Sequence, residues 1–216
     1  MPVRAISNRG GQIIGHFPSV TMGRMIGYES LIERDYLYLI DQDRRVTWFE
    51  EQPLTIAYVH EGKTRHYTPD VLQHEDAQRI LVECKPASLT DTEENQRKFT
   101  AARTWCATRG YTFRVVTEQE IRRPYRLANV KLVTQFARHT VEPDVRGRVF
   151  ALLAEGETTI GGLANGLSPQ DPQRLIVAIL HLIYHHEIAA SLDDTPLDGN
   201  TIVRLPFHVV EGEAAR

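Results

Sequence analysis

The chain of 216 residues suits one large domain or two small ones. Its composition, 42% hydrophobic and 25% charged, is that of a folded globular protein, and no apolar run approaches the roughly 18 residues that would span a membrane. The two cysteines, Cys84 and Cys106, exclude a disulfide framework or a cysteine-rich metal cluster. The first 17 residues contain no long apolar segment and no small-residue cleavage site, so we expect no signal peptide and a reducing cytoplasm.

Charge is distributed unevenly along the chain, although the net charge is only −3. Residues 1–139 carry 20 basic and 17 acidic side chains, a net of +3, whereas residues 140–216 carry 5 and 11, a net of −6. A step of this size predicts two modules with different partners. We therefore expect an N-terminal domain over 1–139 and a C-terminal domain over 140–216.

The N-terminal module begins with a predicted helix, because apolar residues repeat at helical spacing over residues 28–40. Glu29 and Glu33 lie four residues apart on one margin of its apolar face, and periodicity alone does not choose between them as site residues. The β-prone segments that follow are separated by polar turns and predict an antiparallel meander. Its strands are expected at 46–50, 54–59, 65–73 and 79–85.

A strand–helix–strand order comes next. Thr90 and Glu93 form a capping-box pattern before a helix that reaches Gly110, and residues 111–117 are β-prone. This order implies a right-handed crossover and parallel pairing of the two strands. The N-terminal module is therefore predicted to be α/β, a mixed sheet with flanking helices, and residues 119–139 are predicted to form a basic helical connector.

The C-terminal module shows three helical patterns, at 144–155, 159–167 and 172–188. Two short β-prone segments, 188–192 and 201–205, flank a polar loop. Three helices and a β-hairpin predict a winged helix-turn-helix.

Three charged side chains interrupt the apolar strands of the meander. Alternation places Glu83 and Lys85 on one face of the last strand, and the preceding turn brings Asp70 alongside Glu83. Two adjacent carboxylates repel unless a cation neutralises them, and oxygen ligands suit Mg²⁺. A neighbouring lysine can stabilise a phosphate under attack or position the attacking water. Together they predict metal-dependent phosphodiester hydrolysis; the alternative is an ordinary salt bridge on an edge strand.

The pattern Pro69-Asp70 followed by Glu83-Cys84-Lys85 matches the PD-(D/E)xK nuclease motif. Its surroundings resemble the TnsA-type endonuclease subunit of heteromeric cut-and-paste transposons over nearly all of residues 15–120, and more weakly in the C-terminal region. The blocks that carry the resemblance occur in the family's order. They are "FPSVTMGRMIGYESLIERDYLYLIDQD", "VTWFEEQPLTI", "RHYTPDVL" and "ILVECKP".

The resemblance implies a restriction-endonuclease-like fold, followed by a small winged-helix-like domain, and it assigns roles to individual positions. Glu33 is similar to the helical acid of the family's site, and Asp70 to its central metal ligand. Glu83 is similar to the second strand position, where some members carry Gln, and Lys85 to the catalytic lysine. By resemblance, the three acids would bind Mg²⁺, for which Mn²⁺ can substitute.

The resemblance also implies a bacterial cytoplasmic enzyme that cuts the 5′ strands of double-stranded DNA at transposon ends. A DDE transposase partner would cut and join the 3′ ends, and an AAA+ ATPase would regulate both. Two alternatives stay open. One is a stand-alone restriction-type or junction-resolving nuclease, and the other is a non-catalytic DNA-binding or assembly protein on a nuclease scaffold.

Further residues are candidates for contact with DNA. Gln52 lies in a resembling block, either near the scissile phosphate or as a loop residue that fixes the turn before Pro53. The other candidates lie on the helix after the motif or in the basic connector, where contact with phosphates competes with simple solvation. They are Gln96, Lys98, Arg122, Arg123, Arg126 and Lys131.

The last predicted helix favours neither zinc nor DNA as its ligand. His181 and His185 have a zinc-binding spacing, but no third ligand follows in a matching pattern, so we expect partly buried helix histidines. The helix offers only Arg174 as a strong base, and its module has a net charge of −6. We therefore expect residues 140–216 to bind protein rather than DNA. The resemblance implies that this partner is the AAA+ regulator.

Overall fold

The computed structural model describes residues 13–206, and the chain divides into two compact units, Met1–Arg123 and Pro124–Arg216. Within the described residues, no helix combines the length and apolarity needed to cross a membrane. The first unit contains eight strands and three α-helices in its described part. They are β1 Gly15–Pro18, β2 Met25–Tyr28, α1 Leu31–Gln42, β3 Val46–Glu51, β4 Ile56–His60, β5 Lys63–Tyr67, β6 Val71–Glu75, β7 Gln78–Cys84, α2 Glu93–Ala107, β8 Thr112–Val116 and α3 Glu118–Ile121.

The main sheet of the first unit has four strands in the order β3-β6-β7-β8. β6 is antiparallel to both β3 and β7, whereas β7 and β8 are parallel and connected through α2. The predicted mixed α/β sheet with a parallel crossover is confirmed. Apolar contacts hold α2 on one face of the sheet, where Leu72 and Leu81 pack with Ala102 and Cys106.

Helix α1 packs on the opposite face of the same sheet. The Tyr36 hydroxyl donates a hydrogen bond of 2.6 Å to the side-chain oxygen of Gln73, which alternates with Leu72 along β6 and therefore points away from α2. The helix begins after Ser30, whose hydroxyl accepts from the Glu33 backbone N–H. Helices on both faces bury the sheet, which explains why β7 is apolar along most of its length.

The predicted strand over 65–73 is wrong, because two strands, β5 and β6, occupy this region. Pro69 lies between them, and proline has no N–H with which to continue a ladder. β4 and β5 instead form a separate two-stranded hairpin, while β6 pairs with β3 and β7. The single meander predicted from the sequence is therefore interrupted at Pro69.

Helix α2 begins two residues later than the predicted capping box requires. Thr92 is the N-cap, and its hydroxyl accepts from the Asn95 backbone N–H. Thr90 lies at the end of a short 3₁₀ turn, Ala87–Leu89, and donates its hydroxyl to the Ala87 carbonyl. At the other end, Gly110 has φ +68°, the left-handed conformation expected for the residue after a helix.

The second unit is built around one buried helix. Its described elements are α4 Arg126–Thr134, α5 Pro143–Ala154, β9 Thr158–Thr159, α6 Ile160–Leu167, α7 Pro172–Tyr184 and β10 Ile202–Val203. The three helices predicted in this region appear, although α7 ends at Tyr184, four residues before the predicted end at 188. The apolar side chains of α7 are largely buried, so this helix forms the core of the unit.

The β-hairpin predicted for the second unit is reduced in the structure. β10 pairs with the short β9 that precedes α6, and the predicted partners 188–192 and 201–205 share a single bridge between Ala189 and Arg204. A winged helix therefore stays a prediction for this unit.

The boundary between the units lies at Arg123 and Pro124, 16 residues before the predicted boundary at 139/140. Helix α4 belongs to the second unit because the Asn129 side chain donates to the carbonyls of Leu192 and Thr195 and accepts from the Leu197 N–H, at 2.7–3.0 Å. With this boundary, the difference in net charge between the two units is smaller than predicted. Residues 1–123 carry 17 basic and 17 acidic side chains, and residues 124–216 carry 8 and 11.

Candidate active site

Asp70 and Glu83 face each other across two neighbouring strands. Val71 on β6 pairs with Val82 on β7, so the next residues outward, Asp70 and Glu83, are opposite in register. The Asp70 carboxylate accepts a hydrogen bond of 2.7 Å from the backbone N–H of Cys84. The structure therefore brings together the two carboxylates that the sequence pattern singles out.

Both oxygens of the Glu83 carboxylate have donors. The ammonium of Lys85 lies 2.7 Å from Oε1, and the hydroxyl of Tyr67 donates to Oε2, also at 2.7 Å. Glu83 is almost fully buried, while Lys85 is partly exposed. Alternation in β7 places both charged side chains on one face, as predicted, with Cys84 buried on the other.

Glu33 is held at the start of α1. Its Oε2 accepts a hydrogen bond of 2.8 Å from the Glu29 backbone N–H, and its own N–H is capped by Ser30. Glu29 thus supplies a backbone donor to the carboxylate of Glu33. The charge of Glu83 also acts on Glu33, so Glu33 lies within electrostatic reach of the two strand residues.

Burial and mutual repulsion shape the electrostatics of the site. Burial raises the pKa of Asp70 well above its usual range, and the charges of Glu83 and Glu33 add to this rise, against the opposing effect of Lys85. Burial likewise raises the pKa of Glu33, although hydrogen bonds from Glu29 and Ser30 oppose the rise. The site is a place where negative charge is concentrated and only partly compensated.

Burial and the charge of Glu83 also shift the pKa values of Lys85 and Tyr67. Burial lowers the pKa of Lys85, but the charge and hydrogen bond of Glu83 outweigh burial, so the net change is a rise and the ammonium stays charged. Burial raises the pKa of Tyr67, and the charge of Glu83 adds to the rise. Both groups therefore remain hydrogen-bond donors to Glu83 at neutral pH.

The oxygen donors of Asp70 and Glu83 are of the chemical type that suits a hard divalent cation. Carboxylate oxygens are the ligands that Mg²⁺ prefers, and Mg²⁺ is often held by only one or two carboxylates, with waters and substrate phosphate completing its shell. Among residues 13–206, no three His, Cys, Asp or Glu side chains are grouped so that they could hold one ion together. In the structure each of the three acids accepts a hydrogen bond from a protein N–H or O–H, and their joint role as metal ligands stays a prediction.

Gln52 lies beside the site through its backbone. Its N–H donates a hydrogen bond of 2.8 Å to the Asp70 carbonyl, which extends the β3–β6 ladder by one pair. The residue is buried and has φ +43°, a left-handed conformation that costs free energy in a residue other than glycine. The turn interpretation of Gln52 is thus supported, and its backbone also positions Asp70.

The remaining DNA-contact candidates are occupied by local interactions. Gln96 donates to the Thr90 carbonyl at 2.9 Å, and Lys98 pairs with Glu94 on the same helix at 2.6 Å. Gln96 is exposed and Lys98 is partly exposed on α2, which fits a solvated helix face. Neither side chain makes a described contact with the three acids.

The basic connector does not form one continuous element. Arg122 and Arg123 end the first unit, and Arg126 and Lys131 belong to α4 of the second unit. Arg122 pairs with Asp35 at 2.8 Å, and Arg126 pairs with Asp193 at 2.7 Å. Two of the four cations are therefore neutralised within their own units.

His181 in α7 and His185, which caps the end of that helix, have local structural partners. A ring nitrogen of His181 lies 3.1 Å from the Phe136 carbonyl, and one of His185 lies 2.8 Å from the Ala137 carbonyl. The rings are 4.3 Å apart. This arrangement supports the interpretation of partly buried helix histidines over that of a zinc site.

Sequence reasoning missed Tyr67, which contacts Glu83 directly. Its position three residues before Asp70 in "RHYTPD" contains no periodic signal, because Pro69 separates the two strands. Only the fold places the end of β5 next to the end of β7.

A mixed four-stranded sheet with paired acids and a lysine at the end of adjacent central strands fits a nuclease-like α/β fold. Residues 43–118 match the family model of the TnsA-like endonuclease N-terminal domain. This segment, which includes Asp70, Glu83 and Lys85 but not Glu33, is similar to the TnsA-like endonuclease domain, and the match confirms the resemblance seen in the sequence. No curated protein matches the chain.

Proposed function

We propose that this chain is a Mg²⁺-dependent DNA endonuclease subunit of a transposase, which cuts the 5′ strands at transposon ends. The match to a TnsA-like endonuclease domain supports a nuclease of the transposase type. One observation carries the catalytic part of the proposal: the Lys85 ammonium lies 2.7 Å from Glu83, whose register partner on the adjacent strand is Asp70. A buried acid pair with an adjacent lysine suits phosphodiester hydrolysis.

Each site residue has a task in the proposed reaction. Asp70 and Glu83 hold the divalent cation with Glu33 close by, and their carboxylates supply the negative charge that binds it. When bound, Mg²⁺ supplies charge stabilisation at the phosphate oxygens and a more acidic water. Lys85, kept protonated by Glu83, donates to the phosphate oxygen on which negative charge develops.

The C-terminal unit is proposed to bind the AAA+ regulator, and the whole chain to act with a DDE transposase that cuts and joins the 3′ ends. The burial of α7 disfavours this helix as a DNA-recognition helix, since the side chains that form the core of the unit cannot also lie in a DNA groove. The net charge of −3 over residues 124–216 also disfavours a phosphate backbone. Salt-sensitive DNA binding by residues 124–216, equal to that of the full chain, would contradict this assignment.

The test of the nuclease proposal is a cleavage assay with the full chain, its transposase partner and DNA that contains a transposon end. We expect a 5′-strand cut that requires Mg²⁺ or Mn²⁺ and disappears in EDTA. A matched reaction with Asp70→Ala protein separates this activity from a contaminating nuclease. Absence of the 5′ cut under every Mg²⁺ and Mn²⁺ condition would contradict the proposal.

A stand-alone restriction-type or junction-resolving nuclease is the second candidate, and one observation favours it: Glu33, Asp70, Glu83 and Lys85 all lie within the first unit of a single chain. Such an enzyme would cut plain or branched DNA without a partner. The same assay without the transposase therefore separates the two candidates. A non-catalytic scaffold is disfavoured, because it has no need of a buried acid pair with a charged lysine.

A further inference from the structure

The contacts of Tyr67 point to a task beyond packing. Its hydroxyl donates to Oε2 of Glu83 at 2.7 Å, while Lys85 lies 2.7 Å from Oε1. The two donors approach different oxygens of one buried carboxylate. With one donor on each oxygen, rotation of the carboxylate about its last bond would break both contacts, so its orientation is fixed.

The packing of the Tyr67 ring fixes the position of its hydroxyl. Tyr67 ends β5 and pairs there with Ile56. Its ring packs in the apolar cluster with Ile56, Leu72 and Leu81, and only 5% of the residue is exposed. A tyrosine has few rotatable bonds, and close packing on all sides leaves it one position.

A purely apolar role does not explain the hydroxyl. A phenylalanine would fill the same space in this cluster, whereas a buried hydroxyl costs free energy unless it has a partner. That partner is a site residue of the proposed nuclease. The backbone on the C-terminal side of Tyr67 reaches Asp70 after only two residues, Thr68 and Pro69, so the same segment positions both acids of the site.

We infer that Tyr67 is a positioning residue, whose hydroxyl orients the Glu83 carboxylate so that one oxygen is presented to Lys85 and to the divalent cation. This inference rests on the proposed function, because it assigns Tyr67 to the metal-binding task of Glu83. Groups that orient a ligand through a hydrogen bond typically change metal affinity or activity by about 10- to 100-fold when removed. Tyr67 touches neither the cation nor the substrate in this proposal.

The chain contains a matched control. Tyr36 is as buried as Tyr67, with 6% exposed, and its hydroxyl also donates to a side-chain oxygen, that of Gln73, at 2.6 Å. Gln73 lies on the other face of β6, away from the acid pair. Tyr36→Phe therefore removes a comparable buried hydrogen bond without touching the site.

The experiment compares full-length wild type, Tyr67→Phe and Tyr36→Phe. Calorimetric titration with Mg²⁺ and electron paramagnetic resonance with Mn²⁺ measure metal affinity, and the end-cleavage assay measures the rate at saturating Mg²⁺. We expect Tyr67→Phe to weaken metal affinity by about 10-fold or more, with Tyr36→Phe within twofold of wild type. Wild-type affinity and rate in Tyr67→Phe, or an equal loss in Tyr36→Phe, would overturn the inference.

A second measurement on the metal-free protein tests the contact itself. Tyr67→Phe and Glu83→Ala, singly and together, form a double-mutant cycle in thermal unfolding, in which paired residues give non-additive changes. Additive changes would overturn the inference. A second outcome combines non-additive changes in the cycle with a wild-type protein that neither binds Mg²⁺ nor cleaves DNA. That outcome would establish the contact but refute the proposed nuclease function, and the positioning role with it.

Discussion

The side chain of Asp70 is bonded to the backbone N–H of Cys84, at 2.7 Å. This hydrogen bond links the segment before β6 to the end of β7, where Glu83 and Lys85 lie. A backbone donor is a rigid partner, so the position of the Asp70 carboxylate follows from the sheet and does not depend on a mobile side chain. The acid pair is thus a direct product of strand pairing.

Asp70→Ala is expected to abolish cleavage and most Mg²⁺ binding, since the remaining carboxylates cannot hold the ion in place. The fold should survive, because the lost hydrogen bond, worth about 1–3 kcal/mol, is offset by relief of the repulsion among Asp70, Glu83 and Glu33. Calorimetry and the end-cleavage assay measure the first effect, and thermal unfolding the second. Asp43→Ala, which removes a partly buried acid paired with Arg45 at the end of α1, is the matched control and should keep activity.

Glu83→Gln is expected to be milder than Asp70→Asn. Gln at position 83 keeps an oxygen that can accept from Tyr67 or approach the cation, whereas Asp70 is the acid that contacts the β7 backbone directly. We expect measurable residual cleavage for Glu83→Gln, and none above background for Asp70→Asn. Initial rates at saturating Mg²⁺ decide the order, and the reverse order would show that the two roles are exchanged.

Much of the site could be predicted from the sequence because strand alternation and short turns are local rules. The period of two in β7 places Glu83 and Lys85 on one face, and the short turn before β7 brings Asp70 opposite Glu83. Residues distant in sequence obey no such rule. Tyr67 reaches Glu83 only because β4 and β5 leave the main sheet at Pro69 and fold against α2.

Contacts between residues distant in sequence also explain why the start of α2 and the boundary between the two units differ from the predictions. Thr90 and Thr92 are both competent helix caps, and the 3₁₀ turn at Ala87–Leu89 decides between them. The boundary at 139/140 followed from charge, whereas the structural boundary follows from the burial of Asn129 against the loop that contains Leu192. Such tertiary contacts override a local change in composition.

The stability of the second unit is expected to depend on pH through His181. Burial lowers the pKa of His181, with His185 and Arg146 adding to this effect, while the Phe136 carbonyl and Glu187 oppose it. An unfolded histidine titrates near 6.5, so below about this pH the unfolded state binds more protons than the folded one. The contribution of neutral His181 to the stability of the folded state is therefore fully present above pH 6.5 and is lost as pH falls below this value.

A histidine variant tests this dependence. Thermal unfolding of the full chain between pH 5 and 8 should show a falling midpoint on the acid side, and His181→Gln should flatten that slope. His139→Gln changes a histidine that lies outside α7 and is the matched control, which should leave the slope as in wild type. A slope unchanged by His181→Gln would contradict the assignment.

Lys85→Ala is expected to spare the fold while it removes the catalytic ammonium. The Lys85 backbone N–H still donates to the Val116 carbonyl at 2.9 Å, and Glu83 keeps its hydrogen bond from Tyr67. The Lys85 side chain is partly exposed and pairs with Glu83. Partner docking, which we assign to the second unit, should also survive, and thermal unfolding and co-purification with the partners check both points. Lys98→Ala, which removes a partly exposed lysine paired with Glu94, is the matched control.

The products of transposition by the Lys85→Ala protein then report on the 5′ cut directly. If a transposase partner still cuts and joins the 3′ ends, the element becomes linked to the target while both of its 5′ strands stay attached to the donor DNA. Replication across that branched product fuses donor and target with two copies of the element. We therefore expect cointegrates in place of simple insertions, with total joining reduced several-fold but not abolished, and long-read sequencing of insertion products measures the ratio. Simple insertions at wild-type frequency would show that another protein makes the 5′ cut, and the roles assigned to Asp70, Glu83 and Lys85 would then be wrong.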